Sequence, residues 1–177
     1  GSAMKPFVYQ TALENGFSPA SGFIDEPLTL GSNWKPQNHS NDYLGLVTLR
    51  RALELSRNVP TVRIADTLGI NTIRQGFKKY GFIDDSDDFD LSSVLGSISL
   101  TPLKVAESYA SFVNGGEYIN ASFIEYIQDR SGEVLYHNPA VQCINCQDPE
   151  KTPDLVYNAQ GKQITSPQVA YQVLSLL

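Results

Sequence analysis

Gly1-Ser2-Ala3-Met4-Lys5-Pro6-Phe7-Val8-Tyr9-Gln10-Thr11-Ala12-Leu13-Glu14-Asn15-Gly16 is the stretch that decides the fold. From Ala3 to Asn15 the apolar residues fall on almost every side of a helix, and a helix apolar nearly all round belongs in the middle of a molecule. Pro6 is tolerated only in a first turn, where its missing N–H had no partner anyway. The helix therefore starts within a turn before Pro6, and Gly16 ends it. That places Ser2 and Lys5 on the first turn, three residues apart and on one face.

Working outward, residues 17–47 carry Pro19, Gly22, Pro27, Gly31, Pro36 and Gly45. They read as a long ordered loop with a short strand around Leu28 to Leu30. Thr48 caps a helix through Leu49, Ala52, Leu53 and Leu55. The chain breaks at Ser56-Arg57-Asn58 and restarts at Pro60 through Val62, Ala65 and Leu68. A further helix carries Ile73, Phe77 and Tyr80 and is closed by Gly81. Asp84 to Asp90 form an acidic turn. Thr101-Pro102 opens a helix with Leu103, Ala106, Ala110 and Val113 on its apolar face, closed by Asn114-Gly115-Gly116. The period then changes to two: residues 122–128 and 133–136 flank Asp129-Arg130-Ser131-Gly132, a hairpin signal. Residues 137–165 are polar and poorly patterned and read as an irregular insertion. Ser166-Pro167 opens a last helix. Helices first and a hairpin later predict an α+β fold without repeats.

The chain has 177 residues, which predicts one domain with a real core. Thirteen Lys and Arg against nineteen Asp and Glu leave a net charge of −6, which argues against nucleic acid as a partner. No apolar run approaches the roughly 18 residues of a membrane span. The start has no signal-peptide pattern. The last helix ends on Leu176-Leu177 with no polar exit, so the chain reads as part of something longer.

Ser2-Ala3-Met4-Lys5 is an S-x-x-K tetrad on a helical turn, where a neutral lysine can take the serine proton and make a nucleophile. So short a pattern arises about once by chance at this composition. It recurs as Ser32-Asn33-Trp34-Lys35 in a loop that aligns nothing. Ser56-Arg57-Asn58 is an S-x-N tripeptide; alone it reads as a helix C-terminus with Asn in a permissive conformation. Cys143-Ile144-Asn145-Cys146 leaves disulfide, free thiols, half a zinc site and redox chemistry open, although no helix follows to depress a thiol pKa. The acidic run misses the EF-hand pattern, with Phe89 at its sixth position and Leu95 at its twelfth. His39 and His137 have no patterned partners. No metal or cofactor is expected.

The words around these short motifs are more specific. Gly1-Ser2-Ala3-Met4-Lys5-Pro6-Phe7 resembles the nucleophile segment of the class A penicillin-binding proteins. Asp25-Glu26-Pro27, Trp34-Lys35-Pro36-Gln37-Asn38 and Tyr43-Leu44-Gly45 through Thr48-Leu49-Arg50 look like the segments that follow in that family. Ser56-Arg57-Asn58-Val59-Pro60 is similar to its second motif. Gly96-Ser97 and Thr101-Pro102-Leu103 through Asn114-Gly115-Gly116 look like its next core helix. The resemblance runs in order over nearly the whole chain, and Cys143/Cys146 look closest to proteobacterial members. Lys151-Thr152-Pro153 imitates the family's third motif, K-T-G, but carries Pro for Gly.

The resemblance implies residues 1–177 as a partial transpeptidase domain with an incomplete central sheet, including the insertion at 137–165. The third-motif strand, a glycosyltransferase domain and a membrane anchor would lie outside it. It implies a peptidoglycan D,D-transpeptidase of the periplasmic face of the inner membrane, inhibited by β-lactams. Its partners would be peptidoglycan stem peptides, β-lactam antibiotics and the remainder of its own polypeptide. Ser2 would be the nucleophile, Lys5 its base, Ser56 a proton relay, and Asn58 would hold Lys5 and the substrate amide. Without the K-T-G strand these residues alone would acylate slowly. In the oxidising compartment so implied, Cys143 and Cys146 are expected to form a disulfide. A non-catalytic peptidoglycan- or β-lactam-binding module, a serine β-lactamase and a D,D-carboxypeptidase are the alternatives; for a β-lactamase, no Glu after Ser56 stands in a matching context, and Glu107 reads as a surface residue.

Overall fold

The opening helix is the axle of the molecule. The computed structural model describes residues 1–31, 33–145, 150–152, 154–158 and 161–177. A 3-10 turn over Ser2–Met4 runs directly into α1, Lys5–Glu14. Every residue of α1 from Lys5 to Leu13 is buried, as all-round apolarity requires. Its Phe7 ring has the rings of Tyr80, Phe82, Tyr109 and Phe112 around it, with centroids 4.7 to 5.4 Å away. Three of the four meet edge to face, the arrangement that ring quadrupoles favour.

Among the described residues five further helices surround or flank this axle: α2 Leu49–Glu54, α3 Asn58–Leu68, α4 Ile70–Lys79, α5 Pro102–Val113 and α6 Pro167–Leu176. α1 touches α2, α3, α4 and α6. The capping signals hold: the Thr48, Thr101 and Ser166 hydroxyls accept from the N–H groups of Arg51, Lys104 and Val169. Each such cap stabilises its helix by about 1 kcal/mol. Among the described residues no helix is long and apolar enough to cross a membrane.

The strands are short: β1 Gly22–Asp25, β2 Gly45–Thr48, β3 Glu117–Tyr118, β4 Tyr126–Gln128, β5 Val134–His137, β6 Val141–Ile144, β7 Asp154–Tyr157 and β8 Lys162–Gln163. They pair antiparallel as β1–β2, β3–β8, β4–β5 and β6–β7, with no continuous sheet among the described residues. The fold is the expected mixture of helix with an incomplete sheet. In the predicted hairpin, β4 and β5 flank a turn in which the Asp129 carboxylate accepts from the Ser131 and Glu133 N–H groups.

Three local readings change. The strand expected around Leu28 to Leu30 is only an isolated bridge between Leu30 and Trp34. The real strand is β1, where Phe23 and Asp25 point inward and Ile24 outward, so a buried carboxylate hid the period-two pattern. On α5 the buried residues are Ser108, Ser111 and Phe112, while Leu103 and Val113 face solvent. The two serines bury at little cost because their hydroxyls donate to the Lys104 and Ser108 carbonyls of their own helix. Within residues 137–165, β6 and β7 form a hairpin that the polar composition concealed. Cys143 of β6 is disulfide-bonded; Cys146 lies outside the described residues.

α4 crosses α1 closely at Gly76, where a Cβ would come 2.3 Å from Thr11 Oγ1. That hydroxyl is itself fixed, donating to the Phe7 carbonyl at 2.9 Å. Gly76→Ala is therefore expected to cost about 1–3 kcal/mol by overpacking, despite alanine's better helix propensity. Thermal denaturation should show a lower Tm for Gly76→Ala and recovery when Thr11→Ala is added. An unchanged Tm in the single variant would mean that the crossing is looser than this geometry.

Candidate active site

α2 ends in a Schellman turn, with the Ser56 N–H on the Leu53 carbonyl and the Arg57 N–H on the Ala52 carbonyl, both at 2.8 Å. The left-handed position of such a turn is usually glycine. Here it is Ser56, with φ +51. The permissive conformation expected at Asn58 thus belongs to Ser56, and Asn58 is the first residue of α3. A left-handed conformation costs an L-residue about 1–2 kcal/mol. Its effect is local and specific: Lys5 Nζ donates to the Ser56 carbonyl at 2.5 Å and to its Oγ at 3.0 Å.

Lys5 is 1% exposed. Burial, reinforced by the positive charge of Arg57, pushes its amine down to about 8. At pH 7 about a tenth of such an amine is neutral, against about one part in three thousand for an ordinary lysine. A neutral amine has two N–H donors and one lone pair. The Ser56 carbonyl and hydroxyl take the two donors, which leaves the lone pair to accept a proton.

Ser2 opens the 3-10 turn and is exposed. Among the described residues neither its hydroxyl nor its N–H makes a hydrogen bond, and a first-turn N–H is a donor aimed away from the helix. The turn itself is pinned from outside. The Gly1 nitrogen donates to the Gly96 carbonyl at 2.6 Å, and the Tyr109 hydroxyl of α5 donates to the Ala3 carbonyl at 2.8 Å. Gly96 has φ +89, and a Cβ on it would sit 2.1 Å from the Gly1 carbonyl oxygen.

The Asn58 side chain does not join Lys5; its amide donates to the Gln37 carbonyl at 2.8 Å. Its backbone is held by Asn38, which the sequence reading placed in a family-like segment without giving it a role. Asn38 is buried, and its Oδ1 accepts from the N–H groups of Asn58 and Val59 at 2.9 and 3.1 Å. It caps α3 from twenty residues upstream, where no local pattern would show it. Its Nδ2 donates to Asp25 Oδ1 at 2.7 Å and to the Asp42 carbonyl at 3.0 Å. Arg57 is buried beside it and ion-paired with Asp25 and Asp42, both at 2.7 Å.

The remaining candidates fall elsewhere. Ser32 of the second S-x-x-K lies outside the described residues, as does Pro153 of the K-T-G imitation. Glu107 is committed to the Ala121 N–H and the Tyr118 hydroxyl, which hold its carboxyl below the usual carboxylate range. Asp84 accepts from the Ser86 N–H and hydroxyl within its own turn. Among the described residues no three His, Cys, Asp or Glu side chains gather as a metal would require.

Comparison with known proteins places the chain in a family. Residues 1–174 match the family model for the penicillin binding protein transpeptidase domain. Penicillin-binding protein 1A of Rickettsia bellii is 37% identical over 186 aligned positions, covering 100% of this chain and 23% of that protein. Penicillin-binding protein 1A of Pseudomonas aeruginosa is 40% identical over 145 positions, covering 78% of this chain and 18% of its own. The chain thus spans about a quarter or less of these curated relatives. Among solved structures, penicillin-binding protein 1A from Haemophilus influenzae superposes with a TM-score of 0.84 at 33% identity, over 100% of this chain and 29% of that one. PonA1 from Mycobacterium tuberculosis, at 21% identity, shares the fold with a TM-score of 0.80 over 99% of this chain and 45% of its own.

Gly96→Ala is expected to lose at least about 1 kcal/mol from the left-handed backbone alone, plus the displacement of the Ser2 turn. Gly45→Ala, with φ +69 and open space around it, carries only the first cost. Thermal melts should therefore rank Gly96→Ala below Gly45→Ala. The reverse order would show that the Gly1–Gly96 contact does not constrain the turn.

Proposed function

This chain belongs to the penicillin-binding protein transpeptidase family, and we propose that its residues supply the serine machinery of a peptidoglycan D,D-transpeptidase. The carrying observation is the buried Lys5 amine, pushed down to about 8 and bonded through both donors to Ser56. The domain assignment, residues 1–177 as a partial transpeptidase domain with residues 137–165 as an insertion, is part of the same proposal. So is a working position on the periplasmic face of the bacterial inner membrane, which the disulfide-bonded Cys143 favours.

The chemistry is acyl transfer on stem peptides ending in D-Ala-D-Ala. Lys5 takes the Ser2 hydroxyl proton as Oγ attacks the penultimate carbonyl carbon. The Ser2 N–H, at the start of a helix, donates to the developing oxyanion. Collapse breaks the C–N bond, and the Ser56 hydroxyl, which accepts from Lys5, passes a proton to the leaving nitrogen of the terminal D-Ala. The ester on Ser2 then takes an acceptor amine from a neighbouring stem peptide, whose proton returns by the same route to Ser2 Oγ. Asn58 orients the substrate amide. β-Lactams enter the first half of this cycle because their strained amide occupies the place of the dipeptide. The engagement of Glu107 in hydrogen bonds to Tyr118 and Ala121 argues against the β-lactamase alternative.

Incubating the full-length protein with a fluorescent penicillin tests this reading. One stable label should appear on the peptide containing Ser2 and be absent from Ser2→Ala. Rapid loss of the label would identify a hydrolase, and no label at all a binding module.

The pH dependence of acylation follows from the neutral fraction of Lys5. The rate constant should rise about tenfold per pH unit below the amine's pKa of about 8 and level off above it. A flat profile between pH 6 and 9 would remove Lys5 as the base.

A further inference from the structure

The second motif owes its shape to three buried polar residues, two of which, Asp25 and Asn38, come from segments upstream of it. Asn38 uses its whole hydrogen-bonding capacity: two donors to Asp25 and the Asp42 carbonyl, two acceptor positions for the Asn58 and Val59 N–H groups. Arg57 does the same. Nε donates to Asp25 Oδ2 at 2.8 Å, one terminal nitrogen reaches the Ser40 hydroxyl at 2.9 Å and the Asp42 carboxylate at 2.7 Å, and the other reaches the Asp42 carbonyl at 2.5 Å and Asp25 at 2.7 Å. Asp25 is wholly buried and also receives the Leu44 N–H at 3.2 Å.

Such a cluster is a poor stability device, because desolvating a buried ion pair offsets most of its attraction and an apolar replacement often serves the fold as well. It does fix one piece of backbone. Ser56 is gripped on one side by the Schellman turn and on the other by Arg57 and Asn38, in a conformation that serine disfavours. Resting on the transpeptidase reading above, we propose that Asp25, Asn38 and Arg57 are positioning residues for the catalytic base: they hold the Ser56 carbonyl and hydroxyl on the Lys5 amine.

After burial, the positive charge of Arg57 is the second influence that lowers the Lys5 amine, and the carboxylates of Asp25 and Asp42 pair with that guanidinium and oppose it. On α1 itself, Glu14 lies at the far end and pairs with Lys79 of α4. On α2, Arg50 turns to Ser175 and Arg51 to Glu54. On α3, Arg63 donates to the Glu26 carbonyl, and Asp66 is exposed. On α4, Arg74 and Lys78 bind the acidic loop at residues 84–87. α6 and the turn at Ser93–Leu95 carry no charged side chain, and the Gly1 nitrogen is bonded to Gly96. Tyr9, buried against Thr61, is pushed up by that burial and stays neutral.

The experiment has two arms on the full-length protein. In the first, Lys5 is titrated by NMR of its ε-carbon in wild type, Arg57→Met and Arg57→Lys. The midpoint should rise in Arg57→Met, lowering the fraction of neutral amine at neutral pH, and stay near wild type in Arg57→Lys. In the second, penicillin acylation of Asn38→Ala is separated into noncovalent affinity and acylation rate constant at equal folded fraction, with Tyr118→Phe as a destabilised control. The rate constant should fall 10- to 100-fold in Asn38→Ala, with affinity within threefold, and hold in the control. An unmoved Lys5 midpoint in Arg57→Met would overturn the role of Arg57, and a wild-type rate constant in Asn38→Ala would overturn that of Asn38. If Arg57→Met fails to fold, the Asn38→Ala arm decides. If wild type itself takes no penicillin, the functional reading fails, and the titration still decides whether Arg57 sets the Lys5 amine.

Discussion

One buried amine organises this molecule. Lys5 has almost no access to water, so its charged form is costly and its amine is lowered, while the Ser56 carbonyl and hydroxyl satisfy two of its donors. That bond spans 51 residues of sequence and ties the first turn of α1 to the end of α2. Once both ends are fixed, the rest of the architecture has a task. α1 must be inside to desolvate the amine. Its first turn must nevertheless reach the surface so that Ser2 stays exposed. The loop after α2 must turn left-handed to bring a carbonyl onto Lys5.

The aromatic cluster around Phe7 and the close crossing at Gly76 keep α1 inside. Gly96 and Tyr109 pin the exposed turn from the opposite side. These contacts carry no chemistry, yet they determine how far Ser2 stands from the lone pair of Lys5. Catalysis depends on that separation more steeply than stability does. A helix both buried and open at one end also explains why the site can combine a depressed amine with an accessible hydroxyl.

Much of this was legible in sequence. The all-round apolar helix, the capped starts at Thr48, Thr101 and Ser166, and the Asp129–Gly132 hairpin turn are local signals, and all appear in the structure. The family resemblance was legible because motif order over a whole chain is more specific than any tetrad. Three of the misses share one cause. β1 hides a carboxylate in its inward face, α5 buries serines instead of its leucine stripe, and Asn38 caps a helix twenty residues away. In each case a buried polar group is satisfied by a partner distant in sequence or by its own helix, and hydrophobic periodicity carries no trace of such a partner.

The central claim is that Lys5 and Ser56 act as one proton-handling unit. A double-mutant cycle on the penicillin acylation rate constant tests it most directly, with Lys5→Met and Ser56→Gly. Glycine keeps the Ser56 carbonyl and suits its φ of +51, so only the hydroxyl is removed. The account predicts that the double variant is about as slow as Lys5→Met alone, because the hydroxyl works through the amine. Losses that simply multiply would contradict it, and would mean that the two side chains act on the reaction separately.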